Sequence, residues 1–241
     1  MSTLGWIRRY RGKRPKTSPL IRQGRIDMCR RLLARYPLPE DWSEGNIIWT
    51  DEKTFRDIFV GRKRITVRRD ELMRDYRRTR RYGCSKNFWG SFCGSVMGPG
   101  FLFPVGYNNN ARHYADGPLE LIHHFYRQLQ TVYGRNVDIM QDNSSIHNSG
   151  LVQDLARQWG LPLISWAAWS PDLNPIENLW SIMEGWMEDN YNVEALSEDG
   201  QNEAIVAAKD AIPADLLKSL SLSARDRLQL CIEKEGWPLD Y

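Results

Sequence analysis

The 241-residue sequence is 41% hydrophobic and 11% aromatic, which supplies a folded core and excludes a chain that is disordered throughout. No apolar run approaches the roughly 18 residues of a membrane span, and arginines follow the first residues where a secretory signal would need an apolar stretch. The cysteines form no C-x-x-C pair, so we expect reduced thiols rather than a zinc site or a disulfide framework at Cys29, Cys84, Cys93 and Cys231.

The net charge of +3 conceals a strong asymmetry along the chain. Residues 1–81 carry a net charge of +13 and residues 82–241 carry −10. Segregated basic charge of this kind favours a polyanionic partner, with a solvated, salt-bridged face as the alternative. The run from Arg8 to Lys16 is interrupted by glycine and proline, and it suits a nuclear localisation signal, a phosphate-binding strip, or both.

Taken in chain order, the hydrophobic periodicity predicts alternating strands and helices. The predicted elements are a basic helix over 18–36 with an apolar stripe of Ile21, Ile26, Leu32 and Leu33, strands over 46–50 and 65–68, a hairpin over 88–105 around Gly98-Pro99-Gly100, a helix over 119–133, a strand over 137–142, a helix over 151–159, a strand over 161–166, a helix over 175–190, and further helices after Ser197. This order predicts an α/β domain in which a mixed sheet is flanked by helices. We place a basic N-terminal arm and linker at 1–40, and the domain at 41–241 with an Arg-rich insertion around 56–82.

Two predicted strands end in aspartate, at Asp51 and at Asp142. If these strands are adjacent and parallel, the two carboxylates lie side by side at one edge of the sheet. Adjacent carboxylates repel unless a proton or a cation separates them, and Mg²⁺ commonly uses one or two carboxylates together with substrate phosphate. The pattern therefore predicts a metal site suited to phosphoryl chemistry.

Glu177 has two interpretations. The turn from Ser170 to Pro175 is bracketed by prolines and fixes the direction of the first helical turn, so Glu177 can point at the same metal. Alternatively, Asn174 is the N-cap and Glu177 reaches back to its backbone in a capping box. The apolar face of this helix is predicted from its spacing to be Ile176, Leu179, Trp180, Met183 and Met187.

Other candidate sites are weaker. His123 and His124 have no carboxylate or cysteine at metal-binding spacing, and Asp172 is interpreted as a turn residue. No P-loop or dinucleotide-binding motif is present, so no nucleotide cofactor is expected. The sequence also lacks a G-x-S-x-G motif or a cysteine–histidine pairing for acyl transfer.

Four stretches resemble the mariner superfamily of DDE transposases, in its Tc-type branch. They are Ile48 to Phe55, Trp89 to Phe92, Gln141-Asp142-Asn143 with His147, and Trp169 to Trp180, of which the last is the most specific. The 34 residues between Asp142 and Glu177 match the spacing of the Tc-type branch. The resemblance extends from about Lys13 to the C-terminus.

The resemblance implies an RNase H-like fold with a central five-stranded sheet. It implies that Asp51, Asp142 and Glu177 are catalytic and bind two Mg²⁺ (or Mn²⁺) ions. The expected function is metal-dependent DNA cleavage and strand transfer during transposition, acting on double-stranded transposon ends and target DNA in the nucleus, with a homodimer as the possible assembly. As our own inference, Asn143 and Asn178 orient these carboxylates.

Full-length members of the superfamily carry two helix-turn-helix modules before the catalytic domain, and this sequence begins near the linker. A truncated copy, an excised catalytic domain and a host protein derived from a transposase are all compatible with that beginning. Two alternatives to the expected activity stay open: a DNA-binding or partner-binding protein without catalysis, and a nuclease acting on RNA–DNA hybrids.

Overall fold

A computed structural model describes residues 17–56, 85–104, 110–193 and 196–239. Its helices are α1 (Pro19–Arg35), α2 (Pro39–Ser43), α3 (Ala111–Tyr114), α4 (Glu120–Tyr133), α5 (Gly150–Gln158), α6 (Ile176–Asn190), α7 (Glu198–Asp210) and α8 (Ala214–Glu233), with a π-helical turn at Ala115–Leu119 and a 3₁₀ turn at Pro171–Leu173. Its strands are β1 (Ile47–Arg56), β2 (Ser85–Cys93), β3 (Val96–Leu102), β4 (Asp138–Met140) and β5 (Leu163–Ile164). The strand predicted at 65–68 lies outside the described residues, as does nearly all of the Arg-rich insertion.

The five strands form one mixed sheet in the order β3-β2-β1-β4-β5. β1, β2 and β3 pair antiparallel, whereas β4 pairs parallel with both β1 and β5. The expectation that the first and fourth strands are adjacent and parallel is therefore confirmed. The carboxyl ends of parallel strands meet at one edge of a sheet. The residues after the β4-paired part of β1 therefore lie beside the residues after β4.

β1 is longer than predicted, and Asp51 does not lie at its end. β1 continues to Arg56 because β2 pairs with it along its whole length, including Asp51 opposite Gly90. The parallel pairing with β4 stops at Trp49, opposite Met140. Asp51 is thus inside the strand, but it lies two residues beyond the part of the strand that β4 covers.

The predicted hairpin is present, but its turn was placed wrongly. The chain turns at Gly94, which has a φ of +56°, and Gly98-Pro99-Gly100 lies within β3. A Cβ atom at Gly100 would lie 2.4 Å from the Phe88 ring, so this glycine permits close packing between neighbouring strands. The Gly-Pro-Gly signal reflects that close approach rather than a reversal of the chain.

The sheet carries a buried hydrophobic cluster on each face, which confirms the α/β architecture with helices on both sides. Alternate residues of β1 point to opposite faces, so Trp49 packs with α6 and α8 while Ile48 packs with α4 and α5. All five residues predicted for the apolar face of α6 are buried. α4 ends at Gly134 in the left-handed conformation, as its sequence predicts.

The stripe predicted for α1 was only partly right. Leu32 is buried, but Ile21 and Ile26 are only half-buried, and the remaining buried positions are Arg25, Met28 and Cys29. Arg25 can occupy a buried position because Asp172 and two backbone carbonyl oxygens accept hydrogen bonds from it. α1 packs against α8, so this part of the predicted arm lies on the domain; the boundary at residue 40 stays a prediction.

Among the described residues, Cys29, Cys93 and Cys231 are buried free thiols, and Cys84 lies outside those residues. Burial raises the pKa of Cys93 to about 12, so this thiol is not a reactive nucleophile at neutral pH. No helix in the described ranges combines the length and apolarity that spanning a membrane requires.

Candidate active site

Asp51 lies on the face of the sheet that carries α6. Trp49 and Phe55, which share its side of β1 by strand alternation, both belong to the cluster that includes α6. The Asp51 side chain is only partly exposed, and its Oδ1 accepts a hydrogen bond of 2.8 Å from the backbone N–H of Glu52. The strand therefore fixes this carboxyl group beside the core.

Asp142 occupies the matching position after β4. It is two residues beyond Met140, as Asp51 is two residues beyond Trp49, and Met140 and Trp49 are partners in the parallel ladder. Asp142 lies in an exposed turn, where its Oδ1 accepts a hydrogen bond of 2.9 Å from the Ser144 N–H. Both predicted aspartates thus reach the same edge of the sheet.

The turn before α6 directs Glu177 to this edge. The Asn174 side chain donates to the Thr50 carbonyl oxygen at 3.3 Å and accepts from the Ile176 N–H at 3.3 Å, which joins the start of α6 to β1. The capping-box interpretation is wrong, because the Asn174 N–H donates to the Pro171 carbonyl oxygen and Pro175 is the N-cap. Glu177 instead lies near enough to Asp51 for its negative charge to raise the pKa of that carboxyl group.

The charges of these carboxyl groups act on one another. Burial raises the pKa of Asp51 well above its usual value, and the negative charges of Glu52, Glu177 and Asp142 raise it further. Burial also raises the pKa of Glu177, although the Lys53 ammonium group opposes that shift. Because the negative charge of Glu177 opposes ionisation of Asp51, a proton or a cation between the two groups is favourable.

The negative charge of Asp142 is balanced by a histidine. His147 Nδ1 lies 2.6 Å from Asp142 Oδ1, and His147 Nε2 lies 3.2 Å from Glu52 Oε1. Burial raises the pKa of Asp142, but the hydrogen bonds from His147 and from the Ser144 N–H outweigh burial and leave that pKa lowered. Burial lowers the pKa of His147, and the bonds to Asp142 and Glu52 overcome this and raise it to about 10.

Two residues expected to orient the carboxylates do something else. The Asn143 amide donates to the Trp166 carbonyl oxygen at 2.5 Å, and the Asn178 oxygen accepts from Arg227 at 2.9 Å. The side chain that contacts Asp142 is His147, to which the sequence alone assigns no role although it belongs to a motif that carries the resemblance. A histidine five residues after a strand-end aspartate was the available signal.

Asp172, predicted to be only a turn residue, also forms a buried ion pair. Its two oxygens accept hydrogen bonds of 2.8 and 2.6 Å from the guanidinium group of Arg25, which is completely buried. Arg25 also donates to the carbonyl oxygens of Trp169 and Gly236 at 2.8 and 3.0 Å. This network ties α1 and the C-terminal segment to the turn that directs Glu177.

The donor set fits a hard divalent cation. Asp51, Asp142 and Glu177 offer only carboxylate oxygens, the ligands that Mg²⁺ and Mn²⁺ prefer, and a cation would offset the repulsion among their negative charges. In the described part of the chain, no three acidic, histidine or cysteine side chains already form a ligand cluster. Binding by all three carboxylates therefore requires their side chains to rotate toward a common point.

The chain matches the model of the family described as DDE superfamily endonuclease over residues 46–198. It is 27% identical to the Tcb1 transposase of Caenorhabditis briggsae, over 95% of this chain and 83% of that protein. It is 39% identical to the Tc3 transposase of Caenorhabditis elegans, over 42% of this chain and 30% of that protein.

Solved structures of Mos1 transposase have the same fold. A pre-cleavage Mos1 transpososome superposes with a TM-score of 0.82 at 19% identity, over 98% of this chain and 69% of that chain. The catalytic domain of Mos1 mariner transposase superposes with a TM-score of 0.68 at 18% identity, over 98% of this chain and all of that chain. The predicted RNase H-like fold is confirmed by this likeness. The chain therefore belongs to the DDE superfamily endonucleases, as a transposase catalytic domain homologous to those of the Tc-type elements.

Proposed function

We propose that this chain is an active, divalent-metal-dependent DNA endonuclease and strand transferase, with Asp51, Asp142 and Glu177 as its catalytic carboxylates. The observation that carries the proposal is the convergence of Asp51 and Asp142 at equivalent positions of two parallel strands, with Glu177 near enough for its charge to raise the pKa of Asp51. Family membership and the carboxylate-only donor set support it.

Two Mg²⁺ or Mn²⁺ ions bound by these carboxylates would activate the attacking oxygen and stabilise the leaving oxygen of an in-line displacement at phosphorus. The chain's own residues supply the positions. β1 holds the Asp51 backbone rigidly, the Asn174 side chain locks the start of α6 to β1, and Asp142 faces an open cavity of about 250 Å³. Lys53 lies 3.1 Å from Glu184 and moderates the negative charge around Glu177.

Double-stranded DNA is the proposed substrate. Structures of Mos1 transposase include a paired-end complex with a left transposon end, and the basic residues of the N-terminal part of this chain suit phosphate contacts. For this chain, contacts with transposon ends and target DNA, a homodimer of the paired-end type, and nuclear localisation through the Arg8–Lys16 run are all proposals on this basis.

The test is nicking of a labelled plasmid or duplex with Mg²⁺ and, separately, with Mn²⁺. The wild type is compared with Asp142→Asn and with Asp154→Asn, a matched control on the exposed surface of α5. We expect metal-dependent nicking that Asp142→Asn abolishes and Asp154→Asn retains. DNA binding without nicking under either metal would favour the binding-protein alternative, and cleavage confined to an RNA–DNA hybrid would favour the hybrid nuclease.

A further inference from the structure

Asp142 is the most solvent-exposed of the three carboxylates. It lies beyond the end of β4 in an exposed turn, whereas Asp51 is inside a paired strand. A metal ligand on a loop needs partners that fix its carboxylate, because a functional site is built to tolerances of about 0.5 Å. The question is which side chain supplies that restraint.

His147 contacts Asp142 through one ring nitrogen and β1 through the other. Nδ1 lies 2.6 Å from Asp142 Oδ1 and 3.2 Å from the Asp142 carbonyl oxygen. Nε2 lies 3.2 Å from Glu52 Oε1. Since all of these neighbours are acceptors, both ring nitrogens act as donors and the imidazole bridges two acidic residues.

The imidazole is itself held from several sides. The His147 side chain is 5% exposed, and the Tyr114 ring lies 4.4 Å from it between centroids. The His147 N–H donates to Ser144 Oγ at 3.3 Å, and the Gln153 amide donates to the His147 carbonyl oxygen at 2.8 Å. A ring fixed this way has one orientation to offer Asp142.

Glu52 connects the bridge to the second carboxylate. It follows Asp51 directly in β1, and alternation along the strand places the two side chains on opposite faces of the sheet. Glu52 is therefore turned away from α6 and Glu177, and toward Tyr114 and His147. The bridge joins the Asp142 turn to the strand position adjacent to Asp51.

We propose that His147 is a positioning residue that fixes the Asp142 carboxylate for metal binding, and that Glu52 acts through His147 by anchoring its far nitrogen. The inference rests on the proposed function, because it assumes that Asp142 is a metal ligand. It assigns Glu52 no direct contact with the ion, although Glu52 is an acidic neighbour of Asp51.

The test measures Mn²⁺ affinity of the DNA-free protein by electron paramagnetic resonance and by calorimetry, with thermal unfolding run in parallel. His147→Ala is expected to weaken Mn²⁺ binding by about 10–100-fold, the usual range when a partner of a metal ligand is removed. His124→Ala is the matched control, since His124 is exposed on α4, and it is expected to bind Mn²⁺ as the wild type does.

Two amide variants separate positioning from space filling. His147→Asn places an amide nitrogen near the original Nδ1, within reach of Asp142, whereas His147→Gln places one near the original Nε2, within reach of Glu52. Asn is expected to retain more Mn²⁺ affinity than Gln. A purely structural role predicts the opposite order, because Gln is closer to histidine in size, and that order would overturn the proposal.

A double-variant cycle tests the role of Glu52. Glu52→Gln is expected to weaken Mn²⁺ binding by a few-fold in the wild type and to have no further effect in His147→Ala, because Glu52 acts through the imidazole. An equal loss in both backgrounds would identify Glu52 as a ligand in its own right and would overturn its assignment.

Asp142→Asn distinguishes failure of this inference from failure of the proposed function. If Asp142→Asn leaves Mn²⁺ affinity unchanged, the metal site and the proposed function are both wrong. If Asp142→Asn removes Mn²⁺ binding while His147→Ala keeps wild-type affinity, the metal site stands and only the role of His147 is overturned.

Discussion

Asp51 is placed where its negative charge is poorly tolerated. It is partly buried and lies near the charges of Glu52, Glu177 and Asp142, all of which raise its pKa. Asp51 therefore lowers the free energy of unfolding at every pH above its pKa in the unfolded chain. This loss of stability grows with pH until the pH passes the pKa of Asp51 in the folded protein. Lower stability is the expected consequence of placing a carboxyl group here for the proposed function.

Asp51→Asn should accordingly stabilise the metal-free protein, by on the order of 1 kcal/mol, or about 2–4 °C in Tm. The gain should be larger at pH 8 than at pH 5, because more of the wild-type Asp51 is ionised at the higher pH. Differential scanning calorimetry at both pH values, with EDTA present, measures it. A variant that is less stable than the wild type at pH 8 would contradict this account of Asp51.

His147 and Asp172 illustrate what sequence patterns do not reveal about single residues. A lone histidine in a loop and an aspartate in a Pro-bracketed turn both have ordinary local explanations. Their partners, Glu52 and Arg25, lie 95 and 147 positions earlier in the chain. Only the fold brings such pairs together, so neither role follows from local spacing.

At the scale of elements, Arg25 of α1 holds the turn before α6 in place. Arg25 is fully buried and bonds to both oxygens of Asp172, whose side chain is only 13% exposed. Removing one partner of a buried ion pair leaves an uncompensated charge, which is far more damaging than losing the pair as a whole.

Arg25→Met is therefore expected to lower the free energy of unfolding by about 3 kcal/mol. Arg30→Met, at an exposed position of the same helix, is the control and should change it by less than about 0.5 kcal/mol. Urea denaturation at pH 7 measures both. A loss below about 1 kcal/mol for Arg25→Met would mean that α1 does not restrain the turn.

β2 approaches α6 closely at Gly90, directly opposite Asp51 in the ladder. A Cβ atom at Gly90 would lie 2.7 Å from the Trp180 ring and 3.0 Å from the Phe88 ring, so any side chain forces the strand and helix apart. Trp180 and Glu177 share α6, and the position of this helix therefore depends on the absence of a side chain in β2.

Gly90→Ala should destabilise the domain by about 1–3 kcal/mol through overpacking. Gly24→Ala is the matched variant: its Cβ would meet nothing within 4 Å, and alanine in a helix gains about 0.5–1 kcal/mol over glycine. Chemical denaturation of the two proteins should thus move their midpoints in opposite directions. Equal midpoints would refute the packing argument.

The strand boundaries show why sequence reasoning located the carboxylates better than the elements around them. Apolar runs predicted β1 only to Thr50, since Asp51, Glu52 and Lys53 are poor strand residues. Pairing with β2 extends the strand over all of them. Tertiary pairing therefore overrode local strand propensity. Asp51 still lies beyond the part of β1 that pairs with β4, as the prediction of a shared sheet edge requires.

At the scale of the whole molecule, the fold follows from a pattern that the sequence carries well. Strand and helix periodicities are local, and they predicted a mixed sheet with helices on both faces. The resemblance supplied the strand number and the family, and both are confirmed. The side-chain networks were not predictable, because they depend on how distant elements meet.

The charge asymmetry also belongs to the whole molecule. Residues 1–81 carry a net charge of +13 and include Asp51, whereas residues 82–241 carry −10 and include Asp142 and Glu177. Basic side chains that contact DNA phosphates reduce the repulsion between those phosphates and the carboxylates of a cleavage site. Phosphate contacts of this kind weaken as salt is added.

The central claim is that Asp51, Asp142 and Glu177 together hold divalent metal. Anomalous diffraction from crystals of the protein soaked in Mn²⁺, recorded near the manganese absorption edge, tests it most directly. The account predicts an anomalous peak contacted by carboxylate oxygens of these three residues. A peak elsewhere, or no peak at this edge of the sheet under saturating Mn²⁺, would contradict it.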